Sequence, residues 1–375
     1  MLKRKAVSYI LGGLLFLVLV SAKTVRQPEP AHEKAATEQH DEQVEHGEAE
    51  EEFYPPDFIF DHILDAYEWH ILSYDDFHLS IPLPVIIYSD SKGLNVFMFS
   101  RFHHGHDDYR GFRFVSQGAL KGNIVEIMED GTTALPRLDL SITKNVLAIL
   151  ISLILLLWIF LSVAKAYRRH PDKAPAGLQN LLEPIILFIR DDIAKPSIGE
   201  HKYERFMPFL LTIFFFIWFN NMMGLIPIFP GGANVTGSIS VTMLLALFTF
   251  VITTISGNRN YWQHIFNMPG VPWWVKIPVP LMPVIEIIGM ITKPFVLMVR
   301  LFANIAAGHI IVLGFFSLIF IFGQISVGLG LGVSVVSLAF TIFMTMIELL
   351  VALIQAYVFT LLSAIYFGMA TEEHH

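Results

Sequence analysis

Long apolar runs separated by short polar segments dominate the last three-fifths of this chain. Asn145–Ala166, Met207–Phe229 and Ser238–Ile255 are each close to the ~20 apolar residues a helix needs to span a bilayer. Two further runs, 279–322 and 333–370, exceed one ordinary span. Long helices fit a thin hydrocarbon slab by tilting. Gly323, Gly328, Gly330 and Gly332 punctuate the turn predicted between them. The pattern predicts an all-α polytopic membrane protein with about five transmembrane helices, the last two forming a long tilted hairpin.

Charge orients these elements. Lys165, Arg168, Arg169 and Lys173 follow the first run, and basic residues mark the cytoplasmic end of a span. Residues 178–205 mix LLEPIILFI with Arg190, Asp191, Asp192, Lys195, Lys202 and Arg205, which predicts an amphipathic segment on the cytoplasmic surface. The loop PIFPGGANVTGS lacks Lys and Arg, as an outer loop does. Its Asn234-Val235-Thr236 fits a glycosylation sequon, read as coincidence. Arg259 and Lys276 mark the next cytoplasmic loop, with Trp262, Trp273 and Trp274 as interfacial aromatics. The C-terminus is then cytoplasmic.

The first third is different. Residues 1–22 carry Lys3, Arg4 and Lys5, an apolar run and Val20-Ser21-Ala22, the arrangement of a signal peptide, with an uncleaved anchor as the alternative. Residues 23–52 are acidic, contain His32, His40 and His46, and lack the apolar side chains a core requires; they are expected to be disordered. Across 53–140, FHLSIPLPVIIYS, GLNVFMFSRF and YRGFRFV have the aromatic and β-branched runs of strands. A small β-rich exported, hence periplasmic, region is expected there, followed by a membrane domain over 141–375. His103, His104 and His106 beside Asp107 and Asp108 read as a solvated loop rather than a metal site.

Composition narrows the function classes. The chain is 54% hydrophobic and 15% charged, with a mean hydropathy of +0.56, too apolar for a soluble protein of 375 residues. It contains no cysteine, which excludes disulfides, thiol nucleophiles and thiolate metal sites. The net charge of −8 comes mostly from the first third. Without a basic patch interleaved with aromatics, no nucleic-acid partner is expected. No cofactor and no metal are implied.

The candidate chemistry lies in polar residues within the apolar runs, where ionisable groups are costly and mark functional sites. Arg300, in KPFVLMVRLFANIAAGHIIVLGFF, keeps its charge at any accessible pH. Placing it mid-membrane costs at least about 2.5–3.5 kcal/mol. The alternative, snorkelling to the interface, conflicts with the apolar turns on both sides. At 100° per residue Glu286, Lys293, Arg300 and Asn304 share one stripe, flanked by Ala303 and Ala307, as suits a surface facing a moving partner. A Glu286–Lys293 ion-pair ladder is the alternative for those two. His309 lies on the opposite face from Arg300 and is predicted to meet the last helix, where Glu348 and Gln355 share a stripe. A His–Glu pair can relay protons near neutral pH; the alternative is a pair that only stabilises the hairpin.

These residues also carry a resemblance. RLFANIAAGHI, followed by IELLVALIQAYVFTLLSAIYFGMA, resembles the a subunit of the F-type ATP synthase membrane sector, over roughly 145–371. The resemblance implies that Arg300 faces a ring of c subunits, with Asn304 and Gln355 at matching positions. It implies that His309 and Glu348 line the outer half-channel, their types exchanged relative to the best-known bacterial versions and similar to mitochondrial ones. Glu286 matches an acidic position of the inner half-channel. Gly224 departs from members that carry an acid there, which leaves Asn220 and Asn221 as the polar contribution of that helix.

The implied function is conversion of proton flow into ring rotation for ATP synthesis. Protons would use an outer path lined by Asn304, His309, Glu348 and Asn221, and an inner path near Glu286, with Arg300 between them. The chain would not be catalytic alone. Implied partners are the c ring, a b-subunit stator, the remaining ATP synthase subunits and the lipid of a bacterial inner membrane. A secondary ion-coupled transporter is the alternative, although no internal repeat is evident.

Overall fold

The computed structural model describes residues 64–74, 77–105, 107–116, 120–128, 130–169, 174–226, 229, 231–266 and 281–372. The signal peptide, the acidic segment, the start of the β-rich region, His106, Lys173, Trp273, Trp274, Lys276 and the last three residues fall outside these.

Among the described residues eight strands precede the long helices: β1 (Glu68–Tyr74), β2 (Phe77–Pro82), β3 (Pro84–Ser89), β4 (Gly93–Met98), β5 (Phe112–Phe114), β6 (Ile124–Ile127), β7 (Thr133–Ala134) and β8 (Leu138–Asp139). They form antiparallel sheets: the pair β1-β2, and the three-stranded β4-β3-β8 and β5-β6-β7. In β3 the pleat sends Val85, Ile87 and Ser89 inward. Val85 and Ile87 meet Phe97, Phe99, Phe102, Phe112 and Ile124 in a small aromatic core. A polar cluster ties two of the sheets together. Ser89 (β3) and Ser91 (the following turn) donate to the buried Glu126 carboxylate (β6), and Lys92 Nζ donates to the Gly111 and Ile127 carbonyls at 2.8 and 2.9 Å. His103 pairs with Asp107 at 2.7 Å and Arg113 with Asp108, all in exposed positions.

The helical part begins with α1 (Lys144–Arg169) and α2 (Leu178–Phe188), which runs through a π-helical turn, Ile189–Ala194, into the short α3 (Lys195–Ile198). Then come α4 (Tyr203–Leu225), α5 (Ile239–Ser256), α6 (Arg259–Phe266), α7 (Leu281–Ile325) and α8 (Val327–Thr371). Among the described residues five helices, α1, α4, α5, α7 and α8, are long and apolar enough to cross a membrane. The core runs between α1, α4, α5 and the second half of α8, with Phe206 stacked on Phe367 at 4.7 Å and Phe160 edge-on to Phe215 at 4.9 Å. Exposed Ile288, Ile291, Phe295, Val299 and Ile310 on α7, and Leu338, Ile342, Met346, Leu349 and Leu353 on α8, leave the hairpin's outer face apolar.

Two expectations gain detail. The turn expected among the glycines of 323–332 is present and is a single residue long. Ser326 alone separates α7 from α8, and its hydroxyl caps α8 by accepting from Leu329 N–H at 3.2 Å. Gly323 and Gly330 lie inside the two helices, where a Cβ on Gly330 would come within 2.8 Å of the Gly323 Cα. They allow backbone to meet backbone. The segment 178–205 also does more than lie on a surface. Its Ile189, Ile193 and Ala194 are fully buried against the helical core, and only Arg190, Asp191 and Lys195 form an exposed ion-pair cluster. The hydrogen bonds from Arg190 and then Lys195 hold the Asp191 carboxyl far below the usual aspartate range.

Long-range bonds complete the helix ends. The carboxylate of Asp65 accepts from Asn145 N–H at 3.0 Å, capping α1 from eighty residues away, while Lys144 N–H donates to the Ala66 carbonyl at 2.8 Å. At the far end Lys202 Nζ donates to the Thr371 carbonyl at 2.7 Å and Asn258 to the Glu372 carbonyl at 2.6 Å, which satisfies the open C-terminus of α8. Trp69 of β1 packs edge-on against Phe229, after α4, at 5.1 Å and joins the core of the helical part.

Candidate functional site

Among the described residues two small clefts lie along the α7–α8 hairpin, each lined by both polar and apolar side chains. The first, on the side of the β region, is lined by Asn221 and Leu225 of α4, Asn304, Ile305 and His309 of α7, and Glu348, Val351 and Ala352 of α8. His309 Nδ1 stands 4.0 Å from Glu348 Oε1, an ion-pair separation too long for a hydrogen bond. Both side chains are largely buried. Asn221 is fixed from two sides: Thr236 Oγ1 donates to its Oδ1, and its Nδ2 donates to the Ala352 carbonyl at 3.4 Å. The sequon threonine thus holds a cleft residue, and the sequon asparagine is buried, accepting from Gly237 N–H at 3.0 Å.

One glycine makes room for the pair and a second borders it. A Cβ on Gly308 would overlap Glu348 Oε1 and lie 3.1 Å from its Cδ, and a Cβ on Gly224 would lie 3.7 Å from His309 Nε2. Sequence reasoning passed over Gly308 and treated Gly224 only as a departure from pattern. The signal for Gly308 was its place beside His309 in the small-residue run Ala306-Ala307-Gly308.

The second cleft, at the other end, is lined by Thr249, Phe250 and Thr253 of α5, Tyr261 of α6, Met290, Lys293, Pro294 and Leu297 of α7, and Tyr366 and Met369 of α8. Lys293 Nζ lies over the Tyr366 ring, 5.6 Å from its centre, and makes no contact ion pair with Glu286. Glu286 instead acts on Lys293 and Tyr261 at longer range. Burial first, then the Glu286 charge, pushes the Tyr261 phenol above its ordinary value. Tyr366, Tyr261, Thr249 and Thr253 did not stand out in the sequence: threonine hydroxyls in apolar helices usually bond to their own backbone, as Thr253 does to Thr249, and tyrosine's large ring reads as core.

Arg300 lies on α7 between the clefts, seven residues from Lys293 and nine from His309, about 10 and 14 Å at 1.5 Å per residue. It is exposed, together with Ala303, Asn304 and Ala307, and it makes no ion pair among the described residues. Tyr366 is within its electrostatic reach. Gln355 is buried at 5% exposure on α8, in the same stripe as Glu348. The fold therefore gathers Asn221, Asn304, His309 and Glu348 in one cleft, sets Glu286 near the other, and leaves Arg300 on an open face between them.

Comparison with known proteins bears on this geometry. A family described as ATP synthase A chain matches residues 146–368, and a domain of unknown function (DUF8433) matches 58–144. ATP synthase subunit a 2 of Chlorobaculum tepidum is 46% identical over 241 residues, covering 62% of this chain and 64% of that protein. ATP synthase subunit a of Chloroherpeton thalassium is 44% identical over 245 residues, 63% of this chain and 69% of the relative. ATP synthase subunit a 2 of Chlorobium luteolum is 41% identical over 281 residues, 71% and 78% of the two chains. The chain thus spans just under two thirds of the Chlorobaculum relative's length. Neither the matched families nor these relatives point to a secondary transporter. A match that takes in Arg300 and nearly all of both clefts and of the five long helices means that the chain belongs to the ATP synthase A chain family.

Proposed function

We propose that this chain is the proton-conducting a subunit of an F-type ATP synthase in a bacterial inner membrane. It would couple proton flow to rotation of a c ring. The observation that carries the reading is Arg300: an exposed guanidinium on an apolar helix, between two small clefts that each hold polar side chains. Ala303 and Ala307 beside it let a partner helix approach closely. In this reading the c ring covers that face, and a c-subunit carboxylate is the counter-charge of Arg300.

The chemistry follows from charge and solvation. A proton reaching the first cleft passes by way of Asn221, Asn304, His309 and Glu348 to the c-subunit carboxylate, which can then enter lipid uncharged. On return the carboxylate loses its proton towards the second cleft, near Glu286, Lys293 and Tyr366. Arg300 stabilises the ionised carboxylate and, having no titratable state, passes no proton between the clefts. Buried Gln355 supports this part of the hairpin. Each charge moved is worth about 2.3 kcal/mol per 100 mV.

Orientation is part of the proposal. Lys165, Arg168 and Arg169 close α1 at the end away from the β region, which supports a cytoplasmic position for that end and a periplasmic position for the β region. A signal peptide over 1–22 and an acidic exported segment over 23–52 accord with it. The 45-residue helices α7 and α8 are about 68 Å long at 1.5 Å per residue, so a ~30 Å slab requires steep tilt. The remaining partners are a b-subunit stator and the other ATP synthase subunits.

The test is ATP-driven acidification of inverted vesicles carrying the assembled complex with Arg300→Ala. Loss of acidification with ATPase subunits still bound supports the reading, and unimpaired acidification overturns it.

A further inference from the structure

One edge of the β region is left open. The sheet β4-β3-β8 ends at β4, which pairs only with β3 among the described residues. Natural sheets blunt such an edge with a charge, a proline or a bulge. β4, GLNVFM, has neither a charge nor a proline, and its register against β3 runs unbroken from Pro84↔Met98 to Ser89↔Gly93. Lys92, just before β4, does not guard the edge. It is turned to the other three-stranded sheet, where it meets the Gly111 and Ile127 carbonyls and Glu126.

The hydrogen bonds of β3 show which groups of β4 face outward. Ile86 accepts from Leu140 N–H at 2.8 Å and donates to Ser141 Oγ at 3.0 Å, both on the β8 side. Ile86 and its partner Val96 therefore form a non-hydrogen-bonded pair of the antiparallel ladder, and so do Tyr88 and Leu94. Leu94 and Val96 turn their N–H and C=O groups to the open edge, and Met98 turns its N–H there. The side chains of these three residues point to the outer face of the sheet, opposite the aromatic core. Leu94 is 64% exposed, Val96 55% and Met98 43%. Exposed Tyr88 and Leu140 continue the same face. Scattered exposed apolar side chains are ordinary, but here an apolar row adjoins a row of unpaired backbone groups.

We propose that β4 is a docking edge, to which another subunit of the assembled complex adds an extended strand. The added strand carries apolar side chains at alternate positions, which extend the row Leu94, Val96 and Met98. The backbone favours a strand over lipid, because acyl chains cannot satisfy N–H and C=O groups. The size of the edge favours a co-assembled subunit over a second, freely diffusing copy of this chain. β4 has six residues, about 20 Å at ~3.3 Å per residue. That is a small contact beside the ~800 Å² per partner of a stable free-standing interface. The strand then comes from a partner already held alongside. The inference rests on the proposed membership of the ATP synthase complex and not on the proton paths. It gives the β region a role as an assembly contact.

The experiment uses the purified whole complex, with the photo-cross-linking residue p-benzoylphenylalanine in place of Leu94 or Met98. Illumination is expected to join this chain to another subunit, at a peptide with apolar residues at alternate positions. A cross-link to a second copy of this chain, to lipid alone or only within this chain overturns the proposal, and so does the absence of any cross-link. Val96→Pro gives a second arm. It removes the outward N–H but no bond of the β3–β4 ladder, the one orientation in which a strand tolerates proline. The β region keeps its resistance to proteolysis and the intersubunit cross-link is lost, whereas Val96→Thr retains the cross-link. An undiminished cross-link in Val96→Pro overturns strand addition. If Val96→Pro does not fold, Val96→Lys decides, since a lysine guards an edge without removing its N–H: loss of the cross-link supports the proposal and its retention overturns it. Copurification separates the two readings. A chain recovered without ATPase subunits removes the membership on which the inference rests. A chain recovered with them, but giving no intersubunit cross-link, removes only the docking edge.

Discussion

Gly308 lies directly against the Glu348 carboxylate: the space a Cβ would take is already filled by Oε1. A helix interior ordinarily disfavours glycine by about 1 kcal/mol relative to alanine. Here the missing methyl leaves the carboxylate room to sit 4.0 Å from His309.

Gly308→Ala therefore separates stability from transport. The end of the Glu348 side chain can swing aside, so assembly is kept and the helix gains slightly. The carboxylate leaves its place beside His309, and ATP-driven acidification falls at least severalfold. Equal acidification rates in Gly308→Ala and wild-type vesicles would remove the significance of this contact.

Glu348→Gln keeps the volume and removes the exchangeable charge. In the proposed inlet role, the expected outcome is slower ATP-driven acidification at every pH, with the ratio of a subunit to c subunit in purified complexes at the wild-type value. A loss of assembly in step with activity would mean that the pair only holds the hairpin together.

Gly368 is a packing position. A Cβ there would overlap the Ser197 carbonyl oxygen and lie 3.0 Å from its carbonyl carbon, and backbone cannot turn aside. Overpacking of this kind costs about 1–3 kcal/mol. Gly368→Ala is expected to lower the thermal stability of the purified complex and the yield of a subunit. An unchanged melting temperature would show that α3 yields.

The β region carries its own pH dependence. Burial alone would raise the Glu126 carboxyl, but hydrogen bonds from Ser89 and Ser91 and the charge of Lys92 outweigh it and hold it below the ordinary value. A depressed folded-state value contributes stability above the unfolded value of about 4.3, and that contribution disappears as pH falls through the folded value. Limited proteolysis of the β region should stay slow down to about pH 4.3 and accelerate below it. Ser89→Ala, which takes a hydrogen bond from a buried charge at a cost of about 1.5–3 kcal/mol, should bring the acceleration to higher pH. An identical cleavage profile in Ser89→Ala would refute this account.

The sequence by itself determined the five spans, because about 20 apolar residues have no other low-energy environment than lipid or a core of that length. It also marked Arg300, since an unneutralisable charge in such a run requires a reason. Helical periodicity set Arg300 and His309 on opposite faces, and they are so disposed, Arg300 exposed and His309 largely buried. Strand-like runs were legible within 53–140, but the root of that region was not. Asp65 meets Asn145 across eighty residues, and no local pattern encodes a contact of that separation. The place of the hairpin turn was legible in its glycines, but their packing was not. A sequence shows that Gly323 and Gly330 lack side chains, whereas only the packed pair shows that the absence serves close approach of two helices rather than a turn. The second cleft was likewise decided by tertiary structure. Tyr366, Tyr261 and Thr253 come from three helices, and each is unremarkable until packing sets it with Lys293 around one cleft.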